Sequence, residues 1–307
     1  MTLFLQSDAW QRFQTAYGRQ TFTASGPGWN YLAIVERGKL SNRLYCPYGP
    51  VASSKSALQD ALASLKKLAH EQSLDFVRIE PTGADFLTQE MQELGLVKAA
   101  RSEQPHHVWQ VDLTLPEDNI IAAMNATARN LHRNIAKKGV TFKKSNDPAD
   151  LTILLNFLHE VAQKDGFTPM SDHYLQTVAD TLFPNDDASL FIAYFENQPI
   201  AAAMVYDSTD TRIYAHAAAD YAHRNLSAGI PLVSTIMLEA KDKGLKTFDM
   251  WGIAPDDQPN HRWAGFTKFK KSFGGASKDY VGTWELPVNS LKYRLYSSAL
   301  TVFRKLR

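Results

Sequence analysis

Cysteine is nearly absent from the chain. Cys46 is the single one among 307 residues, which excludes an internal disulfide and any Cys-rich metal site. Long apolar runs are missing as well. None approaches the roughly 20 residues needed to cross a bilayer, and the opening MTLFLQSDAW reaches Asp8 before a signal-peptide core could form. A cytoplasmic protein is the expectation. Several catalytic signatures have no counterpart: there is no G-x-S-x-G elbow, no G-x-x-x-x-G-K-S/T phosphate loop and no H-E-x-x-H. The nine histidines are scattered, and the pair His106-His107 makes no metal site without a carboxylate cluster beside it. Gly26-x-Gly28 lacks the following helix of a dinucleotide fingerprint. Neither a cofactor nor a metal is expected.

What is present reads as an ordinary globular chain, 44% hydrophobic and 21% charged, long enough for two domains or one large one. The net charge of +1 conceals an uneven distribution. From His261 onward ten Lys and Arg face only Asp279 and Glu285, about +8, which leaves about −7 for the rest. An asymmetry of that kind points to an anionic partner, nucleic acid or a membrane surface, unless it is a solvated basic face.

Periodicity gives a coarse order of elements. Asp8 to Arg19 carries Trp10, Phe13, Ala16 and Tyr17 at helical spacing. The runs Tyr31 to Arg37 and Leu44 to Tyr48 read as a hairpin, Ser56 to Gln72 as a helix, and Phe76 to Ile79 as a strand stopped by Pro81. Val108 to Leu113 alternates as a strand. A helix opening at Pro116-Glu117 and continuing through Lys138 carries Arg129 and Arg133 one turn apart, a spacing that suits either a phosphate clamp or surface ion pairs. Then follow a helix from Leu151 to Asp165, a second capped by Ser171, three strands between Leu190 and Ala217, a helix from Ile230 to Lys243 and a strand at Thr247. Strands, helix and strand appear in both halves, which suits a mixed α/β (α+β) fold.

The densest information lies in KTFDMWGIAPDDQPNHRWAGFTKFKKSFGG, Lys246 to Gly275. It reads as a short apolar strand breaking at Trp251-Gly252 and entering a basic, aromatic loop, a setting in which lysines could neutralise an anion. The pattern FDMWGI followed by G-F-x-K-F-K-K-x-F-G-G resembles the closing signature of the Fem family, the nonribosomal peptidyl transferases. Further pieces resemble it too: Tyr45, Gly49-Pro50, Arg78-Ile79-Glu80-Pro81, R-N-L-H-R-N-I-A-K-K-G-V, A-A-A-M-V-Y-D and I-Y-A-H-A-A-A-D.

That resemblance implies two acetyltransferase-like (GNAT) domains in tandem without a coiled-coil arm, at 1–113 and 114–284, with a basic helix at 285–307 packing back on the first. It implies an aminoacyltransferase that moves an amino acid from aminoacyl-tRNA to the stem-peptide amine of a peptidoglycan precursor, lipid-linked or UDP-linked. No stable DNA binding is implied. Lys270 would stabilise the oxyanion. Phe269 would seat the tRNA end by stacking, flanked by Lys268 and Lys271, and Tyr174, Tyr214, Glu80 and Arg129 would meet the acceptor. Two positions depart from the family pattern, Gln14 and Met170 standing where phosphate-binding lysine and arginine are found. The turn His223 to Gly229 lacks the R/Q-x-x-G-x-G/A form that holds acyl-CoA pyrophosphate. A GNAT-type N-acyltransferase using acyl-CoA is therefore the disfavoured enzyme alternative, and a module that only binds precursor or RNA is the non-enzymatic one. Ser290 to Arg307 has Leu295, Ala299, Val302 and Leu306 on one stripe beside Tyr296, Leu300 and Phe303, which would pack inward while its cations meet the inner face of the membrane.

Overall fold

A computed structural model describes residues 3–305, and side chains through residue 300. The chain forms two compact units. One holds Leu5–His106 together with the chain from Asp279 onward, and the other holds His107–Lys278 with the first residues through Phe4.

Both units are built on one plan. In the first, Trp29–Arg37 and Asn42–Cys46 pair antiparallel. The helix Lys55–Glu71 then crosses over, and Phe76–Ile79 returns parallel to Asn42–Cys46. Parallel pairing requires a crossover of this length, and a helix supplies it. In the second unit Gln198–Asp207 and Thr211–Ala219 pair antiparallel, the helix Gly229–Asp242 crosses over, and Thr247–Gly252 returns parallel to Thr211–Ala219. Each returning strand has an antiparallel neighbour on its far side. For Phe76–Ile79 that neighbour is Trp284–Pro287, and for Thr247–Gly252 it is His107–Asp112. The sheets hold eight and seven strands among the described residues.

Each sheet buries one face under its crossover helix. Leu58, Leu62, Leu65 and Ala69 of the first helix meet Val77, Ile79 and Trp284, while Leu232, Val233, Ile236 and Met237 of the second meet Ala203, Val205 and Phe248. The spacing of three and four residues places these side chains on one stripe. Cys46 lies in the first core. Polar caps fix helix starts: Ser171 Oγ accepts from the Tyr174 N–H as expected, and Ser54 Oγ, which sequence reasoning passed over, accepts from the Ala57 N–H.

Three expectations are corrected. The single helix through Lys138 is broken into Glu117–Ala123, Ala126–Asn134 and a 3-10 turn at Ile135–Lys138, because Asn125 caps a new helix by accepting the Ala128 N–H at 2.8 Å. The basic, aromatic loop after Trp251 contains a helix, Ala264–Lys271. On the C-terminal helix Ser290–Lys305, the side chains that cover Phe76 are Tyr293, Tyr296 and Leu300, while Leu295 is exposed. The side chains of Val302 and Phe303, and Leu306 entirely, lie outside the described residues.

Candidate active site

The second unit carries a strand and a helix that meet at one lysine. Thr247–Gly252 is apolar on its core side, where Phe248 and Met250 are fully buried. Asp249 alternates to the other face yet is only 8% exposed. Its carboxylate accepts from Gln110 Nε2 at 2.9 Å and from the Trp251 N–H at 2.7 Å. The pairing with His107–Asp112 slips between Asp249 and Gly252, and Trp251 takes the left-handed conformation at φ 65°. That is an unfavourable backbone for a bulky residue, and the bond to Asp249 holds it there.

Beyond Gly252 the chain crosses a proline-containing loop and re-enters as Ala264–Lys271. Thr267, buried on the inner side of this helix, accepts the Ala254 N–H through Oγ1 at 2.8 Å. Lys270, one turn on, donates from Nζ to the Gly252 carbonyl at 2.6 Å. Burial lowers its pKa from the usual lysine value to about 8, with Asp249 pulling the other way. Asp249 is shifted upward by desolvation and held back by its two hydrogen bonds and by the charges of Lys270 and Lys278. The arrangement presents a fixed cation, partly shielded from water, at the end of a strand. Such a group can stabilise developing negative charge on an oxygen without moving.

The neighbouring candidates occupy distinct settings. Phe269 turns into the second core and meets Phe273 edge-on, centroids 5.3 Å apart. Phe266, one turn earlier and three and four residues from Phe269 and Lys270, is 63% exposed, a position that sequence reasoning passed over. Lys268 is exposed. Lys271 pairs with Asp256 at 2.7 Å and lies 5.4 Å over the Trp109 ring. Trp109 itself donates to the Gly274 carbonyl at 2.6 Å.

Tyr214 lies opposite Val205, on the core side, and packs near Phe248. Burial raises its phenol pKa well above the ordinary value. A register slip between Met204 and Val205 separates it from His216, which is edge-on to Tyr206. Tyr174, half-buried on the first turn of Asp172–Leu182, is near enough to oppose ionisation of Tyr206. Arg129 donates through Nη1 to the carbonyls of Ala122 and Met124, closing the end of the preceding helix.

Glu80 sits in the first unit, 3% exposed. It accepts from Tyr45 Oη and the Tyr48 N–H on one oxygen, and from the Gln104 N–H and Thr283 Oγ1 on the other. Burial raises its pKa against those four donors. The structure thus uses this carboxylate to gather three separate segments of its own unit. Gln14 is also internal, 1% exposed, its amide oxygen accepting from Arg19. No group of three or more His, Cys, Asp or Glu that could hold a metal occurs among the described residues. No helix among them is long and apolar enough to cross a membrane.

Residues 194–300, which contain this strand and helix, match the model of the FemAB family. Over 160 residues the chain is 26% identical to the lipid II:glycine glycyltransferase of Staphylococcus saprophyticus, 48% of this chain and 38% of that protein. The crystal structure of FemX superposes with a TM-score of 0.83 at 18% identity, covering 95% of this chain and 94% of that one. The chain is thus similar to the Fem family in this segment, and it shares the fold of FemX. A tandem GNAT protein from the clavulanic acid biosynthesis pathway shares the fold at a TM-score of 0.53 and 13% identity, over 86% of this chain and 81% of that one. The two mixed sheets of this chain thus share the fold of a tandem GNAT protein. Its match to the glycyltransferase of Staphylococcus epidermidis, 24% identical, likewise spans 38% of that protein, well under half of the relatives' length.

Proposed function

We propose that the chain is an aminoacyltransferase: it takes an amino acid from aminoacyl-tRNA and joins it to the stem-peptide amine of a peptidoglycan precursor. The observation that carries this reading is Lys270, an ammonium held at 2.6 Å by the Gly252 carbonyl within the segment that matches the family. The relatives, named lipid II:glycine glycyltransferases, support the acceptor class.

In the proposed reaction the acceptor amine attacks the ester carbonyl of the aminoacyl-tRNA. The new C–N bond forms and negative charge gathers on the carbonyl oxygen, where Lys270 stabilises it. Collapse breaks the C–O bond to the ribose, and the proton lost by the amine ends on the ribose hydroxyl. Lys268 and Lys271 contact tRNA phosphates, and Phe269 braces the helix beneath them. Phe266, exposed on the same side as Lys270, is the ring to which we assign stacking on the acceptor end. Tyr174 and Tyr214 meet the acceptor, while Glu80 and Arg129 serve by holding backbone in place.

Incubating the protein with charged tRNA and lipid-linked or nucleotide-linked precursor tests this directly. Mass spectrometry should detect precursor extended by an amino-acid residue. Transfer from acyl-CoA instead, or binding of either substrate without turnover, would overturn it.

A further inference from the structure

The acidic residue within the strand Thr247–Gly252 has no part in the reaction described so far. Asp249 is the one charged side chain in that strand, and a carboxylate withdrawn from water on a mostly apolar element is costly unless it is paired and hydrogen-bonded. Its two donors serve different ends. Gln110, on the adjoining strand, fixes one oxygen. The Trp251 N–H occupies the other, and that contact spans the point where the strand pairing slips and the backbone turns left-handed. The next residue, Gly252, is buried and supplies the carbonyl that receives Lys270 Nζ.

We propose that Asp249 is the positioning residue for Lys270: its carboxylate holds the Trp251–Gly252 turn so that the Gly252 carbonyl meets Nζ, and it supplies the negative charge facing that ammonium. The inference rests on the reading of Lys270 as the group that meets the reacting ester. The charged groups acting on the pair are Lys270 and Lys278 on Asp249, and Asp249 on Lys270. Without that negative charge, burial alone governs the lysine, and its ammonium form is lost at lower pH.

Asp249→Asn tests this, because an amide keeps an oxygen for the Trp251 N–H and Gln110 can rotate its own amide to match. The readout is titration of Lys270, followed by NMR after reductive ¹³C-methylation and assigned by the signal missing from Lys270→Arg. The midpoint, about 8 in the parent protein, should fall by about one unit in Asp249→Asn, a tenfold loss of proton affinity. The alkaline limb of the transfer rate should move down by the same interval. An unchanged midpoint in a folded Asp249→Asn protein overturns the proposal. A shifted midpoint in a protein that transfers nothing from charged tRNA leaves the positioning intact and sinks the functional reading instead. Should Asp249→Asn not fold, the parent protein still decides. The Trp251 amide resonance, bonded to the same carboxylate, should move with the Lys270 midpoint, and an amide signal flat from pH 6 to 10 overturns the inference.

Discussion

A lysine whose ammonium form is lost near pH 8 is poised differently from one on an open surface. If Lys270 stabilises the oxyanion, kcat should fall as pH rises through about 8, where the ammonium is lost, even though the attacking amine gains from the same rise. Lys270→Ala should lower kcat by about 10²–10³-fold, the range seen when a single oxyanion donor is removed, with KM changed far less. Steady-state kinetics across pH 6 to 9.5 check both, and a K270A enzyme with an unchanged kcat excludes the role. His216 offers a separate test on stability. Burial beside Tyr206 lowers its pKa to about 4, so the unfolded chain takes up a proton first as pH falls below about 6.5. Stability should therefore decline between about pH 6.5 and 4 through this group and level off below. His216→Phe should flatten that part of the profile in urea melts recorded at successive pH values. Lys270 was singled out on its resemblance to the family pattern, and its burial against the Gly252 carbonyl is what the fold adds. Asp249 also left a signal, an acid within an apolar strand, yet its value depends on the neighbouring backbone twist, which residue order alone does not encode.

Elements were read well where burial is periodic and poorly where it is not. Phe76–Ile79 and Leu151–Asp165 emerged as expected, since a short β-rich run before proline and an amphipathic run before glycine are strong local signals. The helix Ala264–Lys271 was hidden. It follows a loop with Pro255 and Pro259, carries three lysines in eight residues, and buries only Thr267 fully. Its inner contacts are made by half-buried Phe269 and Lys270 rather than by a wholly apolar stripe. Asn125 was likewise passed over, although an Asn ahead of a helix-favouring run is a common start signal. The end of the lysine-bearing helix depends on the glycine pair that follows it. Gly275 has φ 94°, and a Cβ there would stand 2.2 Å from the Gln110 carbonyl oxygen. Gly275→Ala should cost about 2 kcal/mol, the scale of a strained backbone plus a clash. It should also disturb Gln110, the partner of Asp249. Chemical denaturation gives the first quantity, and a Lys270 titration displaced from about 8 reports the second.

At the scale of the whole molecule, the same order of hairpin, crossover helix and parallel strand occurs twice without a recognisable repeat in the residues. That order was visible in the sequence, whereas the origin of the flanking strands was not, because pairing between distant segments has no local signature. Trp284–Pro287 joins Phe76–Ile79 across some two hundred positions of sequence, and the helix that follows completes the arrangement. Tyr296 Oη accepts from Arg78 at 2.7 Å, and Tyr293 Oη donates to Glu285 at 2.7 Å. Arg78 and Glu285 also pair with each other, and both tyrosine rings cover Phe76. A chain ending at Asn289 would therefore expose Phe76 and remove two hydrogen bonds from a buried ion pair. The pair would be left with poorer compensation for its desolvation, and each hydrogen bond to a charged group contributes about 1.5–3 kcal/mol. The truncated protein should lose about 3 kcal/mol or more in denaturant unfolding followed by far-UV circular dichroism. Tyr296→Phe, which keeps the ring and removes only the hydroxyl, should lose less than half of that. Equal losses in the two variants would assign the effect to the hydrogen bond alone, and an unchanged midpoint on truncation would mean that the C-terminal helix contributes nothing to the unit it covers.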